Sequence, residues 1–356
     1  MSDELVIQSL GGPYAVAFHD GLPSDAAALP AGEPHFLIDA NVAQLYAANL
    51  QFALEHRNTI VISATEENKS LQETIPVFER LVRDKTRRDH TLVAIGGGII
   101  QDITCFISST LFRGLPWRFL PTTLLAQADS CIGSKSSINL GYTKNAIGTF
   151  NAPRRVDIYA GFLDTLEHKD IQSGVGEIIK VHAIEGRLAF DRLAAEFDDL
   201  FADRTVLLKY VRSALSIKRQ YIEQDEFDRG IRNIFNYGHS FGHAIESATH
   251  YGVPHGVAVT IGMDMANFIA VKRGLLPASH FERMHPILRR NYASYAATAI
   301  PLDVLLGALL KDKKNTGSAL RLIFPVGPEA AIQAVQVPSD ASFRSQCEQF
   351  LGAMTG

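Results

Sequence analysis

The stretch Thr91–Asp102, TLVAIGGGIIQD, decides how the first half of the chain is read. Four apolar residues, Leu92 to Ile95, run without a polar break, as they do in a strand buried on both faces of a sheet. Gly96, Gly97 and Gly98 follow, and then a second apolar run of helical character. A strand, a glycine turn and a helix start in that order leave free backbone amides where an anion such as a pyrophosphate can approach closely. The spacing is not GxGxxG, so the motif by itself reads equally well as a tight packing turn.

Working outward, the segments HFLIDA (35–40) and TIVISA (59–64) have the same strand character, and helical stretches alternate with them through about residue 165. Such alternation predicts an α/β domain with a partly parallel sheet. Beyond Asp164 the texture changes. In LLKYVRSALSIKRQYIEQ (207–224), apolar residues return at three and four positions, the period of an amphipathic helix. The expected architecture is therefore an α/β nucleotide-type domain over residues 1–165 and an all-α domain over residues 166–356, the latter holding the metal-binding candidates given below.

Composition narrows the function classes. The 356 residues are 46% apolar and 20% charged, which is that of an ordinary globular protein. The formal charge of -4, from 34 Lys and Arg against 38 Asp and Glu, removes the bulk electrostatic case for nucleic acid or an anionic membrane. Any bound anion must then be held by local cations. Three scattered cysteines exclude a disulfide framework and a thiolate metal site. The N-terminal stretch lacks signal-peptide character, and the apolar runs Leu92–Ile100 and Gly256–Val271 fall short of a membrane span, so a soluble, cytoplasmic protein is expected.

Two later stretches carry the chemistry. Residues 113–150 interleave Arg113, Arg118, Lys135, Lys144 and Asn145 with Gly, Ser and Thr, a composition suited to phosphate or carboxylate. Residues 232–262 hold His239, His243, His250 and His255. His239 and His243 are four apart and would share one helix face, whereas HSFGH lacks the glutamate of the HExxH metalloprotease motif. A catalytic divalent ion takes about three protein ligands, and the partner of such histidines is often a carboxylate; GVGEIIK (174–180) offers Glu177, with Lys180 one turn on. Spacing alone leaves open which histidines would bind a metal.

Together, GGGIIQD, RGLPWRFLPTTLLAQADSCIGSK, GYTKN, GEIIK, NYGHSFGHAIE and HGVAVTIGM resemble, in order and spacing from Asp39 to Gly317, the 3-dehydroquinate synthases and related sugar phosphate cyclases. The resemblance implies a dehydroquinate synthase-like fold, a homodimer, NAD, and a divalent Zn or Co ion on Glu177, His239 and His255. It places NAD contacts at Asp39, Asn41, Glu66, Lys69, Gly97, Gly98, Asp102, Thr122, Thr123, Lys144, Phe162 and Thr165. Substrate contacts fall on Arg113, Asp129, Lys135, Asn145, Lys218, Arg232, Asn236, His243 and a lysine of the DKKN segment, Lys313 or Lys314, with Lys135, Lys180, Lys218, Arg232, Asn236 and His243 as the catalytic set.

The implied reaction converts 3-deoxy-arabino-heptulosonate 7-phosphate to 3-dehydroquinate, through transient oxidation, loss of phosphate, reduction and aldol closure. Gln101, Ser134, Ser240, Asp228 and Val257 depart from the family pattern. They leave room for a cyclase of amino or neutral sugar phosphates. An NAD- and metal-dependent polyol dehydrogenase and a catalytically silent NAD-binding scaffold are the competing readings from other classes.

Overall fold

In the computed structural model, which describes residues 4–23, 32–141, 143–311 and 319–355, the chain forms two compact units. The first comprises residues 1–167 with 218–228, and the second comprises 168–217 with 229–356.

The first unit is built on a seven-stranded sheet. Its strands are β1 (Glu4–Ile7), β2 (Tyr14–His19), β3 (Pro34–Asp39), β4 (Thr59–Ile62), β5 (Thr91–Gly96) and β6 (Trp117–Pro121), with β9 (Arg155–Tyr159). The small hairpin β7 (Ile138–Leu140) and β8 (Thr143–Ile147) lies apart from it. Strand order is β1-β2-β9-β6-β5-β3-β4; β1 pairs antiparallel with β2 and every other pairing in the sheet is parallel. Every residue of β5 is buried, which is why its sequence shows no polar alternation. Helices α1 (Ala40–Leu45), α2 (Gln51–Leu54), α3 (Leu71–Arg83) and α4 (Gly98–Thr110) follow β3, β4 and β5 in the alternation expected of parallel strands. One core cluster joins Phe36, Ile38, Val93, Ile95 and Leu120 of the sheet to Tyr46, Leu50 and Phe162.

The second unit contains α5 (His168–Glu185), α6 (Arg187–Ala195), α7 (Asp199–Ala202), most of α8 (Arg204–Gln224), α9 (His239–Ala248), α10 (His255–Lys272), α11 (Ala278–Tyr292), α12 (Leu302–Leu310) and α13 (Ala341–Thr355). Fourteen residues of α10 are buried, so this helix is apolar almost all round and forms the axis of the unit.

The all-α expectation is corrected here. Strands β10 (Ala319–Val326) and β11 (Ala331–Pro338) make an antiparallel hairpin in complete register from Ala319↔Pro338 to Val326↔Ala331. The turn uses left-handed backbone at Gly327 and Ala330. Leu320, Leu322, Ile323 and Phe324 of β10 are buried, and the Phe324 ring stacks on Phe241 of α9 at 6.3 Å. The hairpin survives because its apolar residues cover helices rather than a second sheet. The unit is mostly helical.

Candidate metal and anion site

The geometry of the second unit starts with glycine. A Cβ on Gly176 of α5 would lie 2.1 Å from the Gly256 carbonyl oxygen, and one on Gly256 would lie 1.8 Å from the Ser173 carbonyl oxygen. Between α9 and α10, a Cβ on Gly262 would meet the Gly238 carbonyl oxygen at 2.1 Å. Gly238 is doubly required: its φ is +78°, and a Cβ there would sit 2.5 Å from the Val259 carbonyl oxygen. Hydrogen side chains at these points let α5 and α9 approach the start of α10 at backbone contact. Glu177 and His255 are the immediate chain neighbours of Gly176 and Gly256, and His239 follows Gly238.

As a result, Glu177 Oε1 lies 3.3 Å from His255 Nε2 and 3.6 Å from His239 Nε2. His243, one turn along α9, joins the two other imidazoles in a cluster whose ligand atoms all fall within 4.8 Å of one another. Glu177 is 1% exposed, yet neither of its oxygens makes a well-aligned hydrogen bond; ring nitrogens and the ammonium of Lys180, ion-paired to Oε2, face them instead. A buried carboxylate left in this way beside two imidazole nitrogens is the donor set of a divalent zinc-type ion. The fit is to nitrogen and oxygen ligands, with no thiolate among them.

Electrostatics agree with that donor set. Burial would raise the Glu177 carboxyl, but Lys180, His239 and His255 together hold it well below the usual carboxylate range. Burial, then Lys180, keeps His239 neutral far below its ordinary value. His255 behaves oppositely: burial pulls it down, but the Glu177 and Glu246 carboxylates, each 3.3 Å from a ring nitrogen, push it up to about 10. The second nitrogen of each ring is also engaged. His239 Nδ1 faces the Tyr237 carbonyl oxygen at 3.4 Å, and His255 Nδ1 faces Glu246 Oε1 at 3.3 Å.

Around this cluster the same unit holds Lys180, Arg232 and Asn236. Lys180 is 2% exposed, with its ammonium 5.7 Å from the Phe235 ring centroid. Arg232 is buried in the 3₁₀ segment Ile231–Asn236, and the Asn236 amide donates to the Asn233 carbonyl oxygen at 3.0 Å. His243 is exposed and lines a cavity of about 640 Å³ between α9 and α12, together with Ser240, Ser247, Gly307 and Lys311. Lys313 and Lys314 lie outside the described residues.

In the first unit, α4 begins at Gly97 without a side-chain cap, leaving its first amides free. A Cβ on Gly97 would come within 3.0 Å of Thr123 Cγ2, so glycine lets the Thr122–Thr123 turn close over the helix start; Gly98 has open space around it. Asp39 ends β3 and accepts the Asn41 amide at 2.9 Å. Lys69 donates to Asp102 at 3.1 Å and to Asn145 at 2.9 Å, while Asp102 also accepts the Ser137 amide at 2.8 Å. Lys144 lies 3.5 Å from Glu66, whose carboxylate accepts the Asn139 amide at 2.8 Å. Phe162 is 1% exposed in the core, held edge-on to Tyr46, whose hydroxyl reaches Thr165 at 2.7 Å.

The lysines expected to bind anions in this unit are paired with acids. Lys218 lies 2.8 Å from Asp129, and Lys135 is ion-paired to Asp228. Arg118 is committed to Asp157 at 2.7 Å, whereas Arg113 is exposed on a loop where both it and Phe112 adopt left-handed backbone. Lys218, near the end of α8, and Asp228, just after it, belong to this unit, a return that no local pattern announces. Of the departures from the family pattern, Gln101 is absorbed by structure: its side chain both donates to the Ser130 carbonyl and accepts the Ser130 hydroxyl at 2.6 Å. The residue that sequence reasoning missed is Glu246, which sits three positions after His243 and gives no motif signal of its own.

Comparison with known proteins matches most of the chain to one family. Residues 59–173 match the family model for the 3-dehydroquinate synthase N-terminal domain, and residues 174–315 match that for its C-terminal domain. A 3-dehydroquinate synthase of Acidithiobacillus ferrooxidans is 36% identical over 92% of this chain and 93% of its own length. One from Helicobacter pylori is 37% identical over 81% of this chain and 82% of its own. Among solved structures, 2-epi-5-epi-valiolone synthase from Streptomyces hygroscopicus, with NAD+ and Zn2+ bound, superposes with a TM-score of 0.80 at 26% identity, covering 96% of each chain. Glycerol dehydrogenase from Schizosaccharomyces pombe shares the fold at a TM-score of 0.58 and 15% identity, over 100% of this chain and 91% of that one.

Proposed function

Because the chain belongs to the 3-dehydroquinate synthase family, we propose that it converts 3-deoxy-arabino-heptulosonate 7-phosphate to 3-dehydroquinate with release of inorganic phosphate. The observation that carries this reading is the 36% identity to a 3-dehydroquinate synthase along 92% of the chain. NAD and a Zn2+ or Co2+ ion are the cofactors of the proposal, and a cytoplasmic homodimer is its working form.

Glu177, His239 and His255 would hold the ion, since both imidazole Nε2 atoms already stand within 3.6 Å of Glu177 Oε1. When bound, NAD and the ion supply a reversible hydride acceptor and a Lewis acid for a substrate hydroxyl oxygen. The buried Arg232 guanidinium would grip the substrate carboxylate bidentately, a geometry that a lysine cannot offer. Lys135, Asn236, His243 and Arg113 would serve the phosphate, and Asp129 would orient Lys218 through their 2.8 Å ion pair. Lys180, ion-paired with Glu177, keeps that carboxylate ionised and so fit to bind a cation. The dinucleotide would be held at the α4 start by Gly97 and Gly98, with Asp39, Asn41, Glu66, Lys69, Asp102, Thr122, Thr123, Lys144, Phe162 and Thr165 as its contacts.

No net NADH accumulates in such a cycle, because the hydride returns to the substrate. The test is to incubate metal-loaded protein and NAD with a panel of acidic, amino and neutral sugar phosphates, following inorganic phosphate, NADH absorbance and product mass. Phosphate release and a 3-dehydroquinate mass with only the acidic heptulosonate are expected. Turnover of a neutral sugar phosphate alone would move the assignment to another cyclase, and steady NADH accumulation would move it to a dehydrogenase.

A further inference from the structure

The two nitrogens of the His255 ring face two different carboxylates. Nε2 lies 3.3 Å from Glu177 Oε1, and Nδ1 lies 3.3 Å from Glu246 Oε1. A neutral imidazole has one N–H and one lone pair, so whichever nitrogen is committed as donor decides what the other can offer. Helix geometry explains why a carboxylate stands at this place. His239, His243 and Glu246 follow one another at spacings of four and three on α9, which brings all three onto one face, and α10 starts beside that face with His255. The Glu246 side chain is 14% exposed, far less than a solvated surface glutamate. Val257, where the family usually carries an acid, is fully buried and apolar, so no carboxylate reaches His255 from that position. His239 provides the contrast, since its Nδ1 faces only a neutral carbonyl oxygen, that of Tyr237.

We propose that Glu246 is a positioning residue: it accepts a hydrogen bond from the Nδ1–H of His255 and so leaves the Nε2 lone pair of that ring to the divalent ion beside Glu177. The inference rests on the ligand set proposed above. A carboxylate behind a metal-bound imidazole fixes the tautomer and the ring orientation and makes the ring a better donor, and its loss weakens metal binding by about 10- to 100-fold.

The experiment titrates full-length wild-type, E246A, E246Q and H255A proteins with Co2+, reading the visible absorption of the bound ion and the dissociation constant, and records thermal unfolding without metal. E246A is expected to bind Co2+ about 10- to 100-fold more weakly, with an altered absorption band and a metal-free unfolding midpoint near that of wild type. E246Q, whose amide oxygen still accepts a hydrogen bond from the Nδ1–H, is expected to fall between the two. Wild-type affinity and an unchanged band in E246A overturn the proposal; should E246A not fold, the same result in E246Q overturns it. The ligand reading fails separately, and visibly so, if H255A binds Co2+ as tightly as wild type.

Discussion

Gly176 on α5 and Gly256 on α10 are in backbone contact, close enough that a Cβ on the first would stand 2.1 Å from the carbonyl oxygen of the second. Their chain neighbours are Glu177 and His255, so this contact sets the 3.3 Å approach of carboxylate and imidazole. Gly176→Ala should force α5 and α10 apart, lowering stability by about 1 to 3 kcal/mol as overpacked cores do. Metal affinity should fall in parallel. Calorimetric unfolding and a Zn2+ titration of the variant check both, and an unchanged midpoint with unchanged affinity contradicts the argument.

The ligand set makes a sharper prediction. Glu177→Ala, His239→Ala and His255→Ala should each lower metal affinity by more than about a hundredfold, because each removes one of three donors from a site with an open position. His243→Ala, on an exposed ring, should retain the metal while losing turnover. Metal content after dialysis against a weak chelator separates the two classes, and metal retention by the first three variants would overturn the assignment.

Arg232 is the discriminating cation. Its substitution by Ala should weaken binding of a carboxylate-bearing substrate by about 1.5 to 3 kcal/mol, the value of a charged hydrogen-bonded contact. In kinetic terms kcat/KM falls by about 10- to 150-fold for the acidic substrate. A substrate analogue lacking the carboxylate should be affected far less, and an equal loss for both would remove Arg232 from that role.

Acid sensitivity should come in part from the buried histidine pair at the adjacent starts of the parallel strands β3 and β5. His35 Nε2 lies 2.9 Å from His90 Nδ1, and His35 Nδ1 is buried with no partner among the described residues. Burial, and then the charge of His90, pulls His35 down from 6.5 to about 4. The folded state thus binds fewer protons than the unfolded chain between those values. Stability from this group is complete above pH 6.5 and is lost as pH falls toward 4, by on the order of 2 kcal/mol. Urea midpoints of wild type and His35→Leu at pH 7.5 and 4.5 test this, and an identical pH-dependent drop in both would exclude His35 as the source.

Much of this was legible along the chain. TLVAIGGGIIQD became β5, a glycine turn and α4, and the amphipathic stretch 207–224 became most of α8, because each depends on periodicity within a dozen or so residues. The four-residue spacing of His239 and His243 likewise placed both on α9. By contrast, the eight-residue strands of the β10–β11 hairpin lie in a region whose texture reads as helix, and their identity rests on burial against Phe241.

What the sequence by itself determined was the chemistry available: a glycine turn after a buried strand, a cluster of imidazoles, a carboxylate among small residues, and cations dispersed through an otherwise acidic chain. Tertiary structure alone decided which of these meet. Glu177 and His255 are 78 residues apart, and their approach depends on glycines that let backbones touch. Glu246 gains its partner by the same packing, and Lys218 meets Asp129 only because the end of α8 returns to the first unit. Local patterns report which groups a segment carries; distances between segments are set by close packing, to which every intervening residue contributes.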